Sequence, residues 1–268
     1  MSAQHVLVRP PAVAGFFYPS DPGELTGSIN AAFADAVRPA QGAPAPKALV
    51  VPHAGYIYSG PVAASGYLRL APVAATVRRV VLLGPSHRVP LRGLAVSSAD
   101  AFATPFGLVP VDDDARRAAL GLPGVRLDDA PHAMEHSLEV QMPFLQSVLD
   151  RFDLLPLVVG HVDTETVAEV IAALAGGAET LIVISSDLSH YQPYDVARQH
   201  DRCTAAAVVA LDAEHIGDVD ACGAYPLRGL LRWAQTEGMT AEQVDLRNSG
   251  DTAGDRSRVV GYGCFALH

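Results

Sequence analysis

The chain has 268 residues, 49% apolar and 18% charged, which excludes intrinsic disorder and allows a large buried core. Its 19 basic and 29 acidic residues give a formal net charge of −10, and no basic run exceeds two adjacent arginines; both facts argue against a nucleic-acid partner. The single lysine, Lys47, stands in Pro-Lys-Ala, which eliminates a Gly-Lys-Ser/Thr phosphate loop.

No stretch approaches the ~20 apolar residues of a membrane span, and no targeting segment is recognised. Three widely spaced cysteines make no disulfide framework. A reduced, cytoplasmic protein with no membrane partner is expected.

In chain order, the Ala/Gly/Pro-rich stretch Pro39–Pro46 is too short and too early to divide domains, and no internal repeat appears. One domain over residues 1–268 is expected. Ala48–Val51 and Val80–Leu83 are short apolar runs with the character of buried strands. Leu138–Phe152 has a helical pattern, followed by a strand over Leu154–Val159. Thr164–Leu174 is a helix, with Thr164 as N-cap, Glu165 in its first turn and Gly176-Gly177 closing it. Leu181–Ser185 is a further strand, Val196–Leu211 and Leu227–Glu237 are helices, and Val259–Ala266 is a last strand. This alternation predicts an α/β fold with a mostly parallel central sheet flanked by helices.

Polar residues follow the strands. Ala48–Val51 runs through Pro52 into His53, and Val80–Leu83 runs through Gly-Pro-Ser into His87. Leu154–Val159 runs through Gly160 into His161, and Leu181–Ser185 leads to Asp187 and His190. In open α/β sheets the ligand crevice lies outside the carboxyl ends of the strands, so these side chains can converge. A shared site is expected to include His53, His87 and Asp187 or His190. His161 is the weaker member, placed where it meets solvent. His5, His200, His215 and His268 have no partner pattern and are read as surface or packing residues.

His132-Ala-Met-Glu135-His136 has the H-x-x-E-H order of inverted zinc proteases, but no distal ligand can be assigned. The local reading is preferred: Glu135 and His136 stand at a helix entrance, with His136 turned toward the crevice. There is no G-x-S-x-G elbow, and no G-x-G-x-x-G follows a strand. Cys203 and Cys264 are read as packing residues. Cys222 precedes the helix at Leu227, where a lowered thiol pKa would suit a ligand or nucleophile.

These blocks resemble the Memo family, including the bacterial and archaeal members called AmmeMemoRadiSam system protein B. The resemblance spans nearly the whole chain. It runs from Ala14-Gly-Phe-Phe-Tyr-Pro19 through Pro52-His-Ala-Gly-Tyr56, Gly84-Pro-Ser-His87, Glu135-His-Ser-Leu-Glu139 and Ser185-Ser-Asp-Leu-Ser-His-Tyr191 to Cys222-Gly223. It implies a fold like that of class III extradiol dioxygenases. It also implies a metal on two histidines and a cysteine, which here are His53, His87 and Cys222, with Glu135, His136, Asp187 and His190 around it as catalytic candidates. Iron is the first choice of metal, with copper or zinc as alternatives.

Thiolate in place of a carboxylate ligand means that dioxygenase activity does not transfer with the fold. The implied function is a non-haem metal-dependent redox enzyme acting on an unknown small molecule or protein, linked to radical-SAM and AMMECR1-type proteins. The alternatives are a binding or scaffold module, of the kind animal Memo proteins suggest through receptor signalling and phosphopeptide binding, a metal-buffering protein, and a zinc hydrolase.

Overall fold

The protein is described by a computed structural model over residues 6–268. His5 lies outside the described residues. In chain order the elements are β1 (Val8–Arg9), α1 (Pro22–Asp35), β2 (Ala48–Val51), α2 (Tyr56–Tyr67), β3 (Arg79–Pro85), β4 (Leu94–Val96), β5 (Ala101–Thr104), β6 (Gly107–Pro110), α3 (Asp113–Leu120), β7 (Val125–Leu127), α4 (Ala130–Ala133) and α5 (Met142–Val148). They continue with β8 (Asp153–Val159), α6 (Thr164–Leu174), β9 (Thr180–Ser185), β10 (His190–Gln192), α7 (Tyr194–Val209), α8 (Ala224–Thr236), β11 (Ala241–Asn248), α9 (Ser249–Thr252) and β12 (Val259–Leu267).

The main sheet has the order β10-β12-β2-β9-β3-β8-β4-β7, with β11 also paired to β12, and β1, β5 and β6 form a small separate sheet. The four central strands β2, β9, β3 and β8 are parallel. These are the four internal apolar runs read from the sequence. Antiparallel pairings flank them, β12 on β2 and β4 on β8.

Period-2 alternation divides the core into two layers. Leu49, Val51, Val80, Leu82, Leu181 and Val183 pack with α1, α2 and α5 residues such as Ile29, Tyr67 and Phe144. Val50, Val81, Leu83, Ile182 and Ile184 pack with α6, α7 and α8 residues such as Ile171, Val208 and Leu230. Strands covered on both faces are apolar along most of their length, so the chemistry collects at the strand ends. Helix α2 lies so close to the sheet that a Cβ at Gly66 would come within 2.8 Å of Cys264 Sγ.

Several expectations shift. The α6 cap is Asp163, whose carboxylate accepts from the Thr166 N–H at 2.7 Å, rather than Thr164. The expected helix over Leu138–Phe152 is a 3₁₀ turn at Glu139–Gln141 followed by α5. Gln141 in this stretch and Ser137 just before it direct their side chains to the ends of β2 and β3 instead, bonding the carbonyls of Pro52 and Pro85. Cys264 is buried in β12 as read, but Cys203 is exposed on α7, so it is not a core residue.

Candidate metal centre

His53, His87, His161 and Asp187 each stand two residues past the last residue of β2, β3, β8 and β9. Because those strands are parallel neighbours, all four residues leave the same edge of the sheet. His136 joins from the segment between α4 and α5. Donor atoms of His53, His87 and His136 lie within 4.8 Å of one another, so this group could hold a metal ion.

The hydrogen bonds around His53 fix which ring nitrogen carries the proton. Its Nδ1 lies 2.9 Å from Ser185 Oγ. The Ser185 hydroxyl has one hydrogen, which it donates to the Ser137 carbonyl at 2.6 Å. Gln141 Nε2 donates to the same Oγ at 2.8 Å and to the Pro52 carbonyl at 2.9 Å, and that carbonyl, which can only accept, fixes the amide orientation. Ser185 Oγ must therefore accept from His53 Nδ1–H, which leaves Nε2 with a free lone pair. The ring is buried, and burial followed by repulsion from His87 and His136 holds its pKa well below the ordinary value. The neutral imidazole that a metal requires is thus the favoured form. Asp187 Oδ1 accepts from the His53 backbone N–H at 2.7 Å and so fixes the main chain, not the ring.

Glu135 does the same for His87. Its carboxylate is 2% exposed. It accepts from His87 N (2.6 Å), His87 Nδ1 (2.9 Å), His136 N (2.8 Å) and Ser137 N (2.9 Å). Burial opposes the charge, but the His136 and His87 imidazoles and the His87 backbone N–H hold the carboxyl far below its usual range. An ionised Glu135 requires a proton on His87 Nδ1, and His87 Nε2 is then the free donor. A carboxylate behind a ligating histidine is a recurrent device for setting tautomer and ring angle.

Cys222 Sγ lies 3.2 Å from His53 Nε2. Two donors sharing one metal at about 2.1 and 2.3 Å stand roughly 3.2–3.6 Å apart. The Asp187 backbone N–H donates to Sγ at 3.3 Å, while the Cys222 N–H donates to the Asp187 carbonyl at 3.2 Å. Gly223, the N-cap of α8, donates its N–H to Ser186 Oγ at 2.9 Å, which ties the loop to the end of β9. The expected lowering of the thiol pKa by the helix is not found. Burial, with the Asp187 charge adding to it, pushes the thiol up. Without a cation the proton therefore stays on sulfur, within reach of His53 Nε2 at 3.2 Å and of the Asp187 carbonyl at 3.7 Å.

The remaining candidates divide. His136 packs its ring on His87, with centroids 4.7 Å apart, and its Nδ1 is buried without a hydrogen-bond partner, 3.2 Å from Glu135 Oε1 but off the bonding direction. Asp187 is buried, which raises its pKa. His190 is exposed and donates Nδ1–H to the Leu188 carbonyl at 2.8 Å. With His136 and Asp187 it lines a cavity of about 440 Å³ that Phe17, Tyr58 and Tyr262 wall. His161 is exposed beside Tyr225 and does not join the imidazole trio.

His132 faces the core, with Nε2 2.9 Å from the Ala95 carbonyl, and α4 ends at Ala133, so His132 and His136 do not share a helix face. This geometry removes the inverted-protease arrangement. His200 pairs with Asp220 at 2.5 Å and His215 with Asp212 at 2.6 Å, while His268 lies 3.8 Å from Glu242. All three are away from the trio, as read.

Two sets of residues escaped the sequence reading. Ser185 and Gln141 orient His53, and no spacing marks them, since each is polar inside an apolar stretch. Arg9 and Glu139 form a buried ion pair. Arg9 also donates to the carbonyls of His132 and Glu135, and Glu139 accepts from Ala12 N, Val13 N and Tyr18 OH. This knot holds the segment that carries Glu135 and His136. A buried arginine and glutamate so far apart in sequence give no local pattern.

A family model described as Memo-like protein matches residues 9–266. The chain is 40% identical over 266 residues to a MEMO1 family protein of Aquifex aeolicus (strain VF5), covering 95% of this chain and 97% of that one. It is 38% identical over 281 residues to a MEMO1 family protein of Ignicoccus hospitalis, covering 96% and 97%. A crystal structure of uncharacterized protein JW3007 from Escherichia coli K12 superposes with a TM-score of 0.51 at 14% identity, over 81% of this chain and 98% of that one, a likeness of fold alone. The family match and the two relatives span the strands, the loops and the histidines just described, and the chain belongs to the Memo family.

Proposed function

We propose that the protein is a metal-dependent redox enzyme whose ion is held by His53 Nε2, His87 Nε2 and Cys222 Sγ, with iron the first choice and copper or zinc the alternatives. The observation that carries the reading is the matched preparation of two imidazoles. Each has its Nδ1 proton tied down, by Ser185 and by Glu135, which leaves Nε2 for a ligand, and the two rings stand edge to face with centroids 5.1 Å apart. Two imidazoles and a sulfur suit borderline to soft transition metals. When bound, iron or copper would supply Lewis acidity and one-electron chemistry, and zinc Lewis acidity alone, to a molecule in the adjoining cavities.

The protein's own groups have separable tasks. Ser185 and Glu135 orient ligands, and Asp187 fixes the His53 backbone. His136, with an unpartnered Nδ1, and His190, which lines the cavity with its Nδ1 proton held by the Leu188 carbonyl, receive and return protons. A cytoplasmic location and a functional link to radical-SAM and AMMECR1-type proteins belong to the same proposal.

A second reading makes His136 the third ligand in place of Cys222, and the close approach of the three imidazoles favours it. Metal content after anaerobic purification, with oxygen consumption, tests both. The first reading expects one ion per chain, lost in His53→Ala, His87→Ala and Cys222→Ser but kept in His136→Asn, which loses turnover. Loss in His136→Asn and retention in Cys222→Ser selects the all-imidazole set. Retention in every variant overturns the proposal.

A further inference from the structure

On the side of the centre away from His190, a cavity of about 840 Å³ is lined by His87 and Cys222. Three arginines line it too, Arg88, Arg92 and Arg126, and no aspartate or glutamate does. In a chain of net charge −10 this is a local reversal of sign. Three different elements create it. Arg88 follows His87 in the loop leaving β3, Arg92 stands just before β4, and Arg126 lies within β7.

The acids beside the lining are already engaged, Glu135 among them, which accepts from the His87 N–H at 2.6 Å. Asp128 pairs with Arg126 at 3.3 Å, and Asp218 is held by the Tyr225 hydroxyl at 3.0 Å and by Arg228 at 3.2 Å. Among the described residues Arg88 and Arg92 are exposed and neither forms an ion pair. The backbone of Arg92 is nevertheless held in place. Arg126 donates Nη1 to the Arg92 carbonyl at 3.1 Å, and Arg92 and His161 pair across an isolated parallel bridge that links the β4 approach to the end of β8.

Clustered guanidinium groups repel one another until an anion arrives, and their planar forks match carboxylate and phosphate oxygens in pairs. An anion held there has the rest of its molecule against His87 and Cys222. We propose that this cavity is the subsite for an oxyanion group, a carboxylate or a phosphate, of the molecule the centre acts on. Arg88 and Arg92 bind the anion, and Arg126 positions Arg92 through its backbone. The words "acts on" rest on the metal-centre reading, whereas the anion site itself does not.

The test is calorimetric titration of metal-free and metal-loaded protein with inorganic phosphate and, separately, with malonate. Wild type is compared with Arg88→Gln/Arg92→Gln at about 20 and about 200 mM NaCl. At least one anion is expected to bind wild type, more weakly at the higher salt, and to lose about tenfold or more in affinity in the double variant. Metal content is expected to stay unchanged, and Arg88→Lys/Arg92→Lys to recover part of the loss. The anion that binds more tightly names the group. Equal affinity in wild type and the folded double variant, or no binding of either anion to wild type, overturns the proposal. If the metal-free protein binds anion through these arginines but takes up no metal, the subsite stands and the metal reading fails.

Discussion

Replacing Glu135 by Gln changes one buried atom and the charge behind His87. The carboxylate accepts four N–H bonds at 2.6–2.9 Å, three of them at Oε1 and one, from the His87 backbone, at Oε2. Glutamine keeps the three by placing its oxygen at the Oε1 position. Its NH₂ group then meets the His87 N–H head-on, and the negative charge that stabilises a protonated His87 Nδ1 is gone. A charge-assisted bond in a buried setting is worth about 1.5–3 kcal/mol, and the metal-free variant is expected to lose that much on urea unfolding. Loss of a partner behind a ligating histidine typically costs about 10–100-fold in metal affinity, or about 1.4–2.7 kcal/mol. Chelator competition with the purified, folded variant reads the second effect apart from the first. A folded Glu135→Gln protein that binds metal within about twofold of wild type refutes the claim that Glu135 sets the His87 tautomer.

Ser185→Ala removes the acceptor of His53 Nδ1–H and strands a Gln141 N–H and the Ser137 carbonyl; it is expected to lose about 1–3 kcal/mol of stability and about tenfold or more in metal affinity, measured by the same two assays. Gly223→Ala places a Cβ 2.7 Å from Ser186 Cβ and 2.9 Å from the Ser185 carbonyl. The Cys222 loop must move, so about 1–3 kcal/mol of stability and much of the metal affinity should be lost; a crystal structure of the variant with Cys222 unmoved contradicts this. His132, lowered to about 4 by burial, binds its proton in the unfolded chain first, so its contribution falls away as pH drops from 6.5 toward 4. His132→Gln keeps the bond to Ala95 and should retain about 2–3 kcal/mol more of its neutral-pH stability than wild type at about pH 4.5; parallel pH profiles in urea unfolding contradict that.

The central strands were legible because burial on both faces demands continuous apolar runs. Ala48–Val51 is identical in sequence and structure, and Leu181–Ser185 starts one residue late. Helix α2 was not legible. Gly60, Pro61 and Gly66 interrupt its pattern, and they are tolerated because close packing on the sheet, not propensity, holds it. Strand β11 was missed because Glu242, Gln243, Asp245 and Arg247 break any apolar run, although Asp245 is buried and accepts from the Ser65 hydroxyl at 2.8 Å. In the site, the strand-end rule located His53, His87 and Asp187, each tied to a neighbour in register. The depressed thiol expected at Cys222 failed because helix proximity is outweighed by burial and by the Asp187 charge. Ser185 and Gln141 were hidden because their role exists only once β2, β9 and the 137–141 segment meet.

Crystals of the metal-loaded protein, measured at the absorption edge of the bound metal, test the centre most directly. The expected result is one anomalous peak per chain within bonding distance of His53 Nε2, His87 Nε2 and Cys222 Sγ, and no peak in His53→Ala. A peak among His53, His87 and His136 with Cys222 Sγ out of reach, or no peak at these residues, contradicts the assignment.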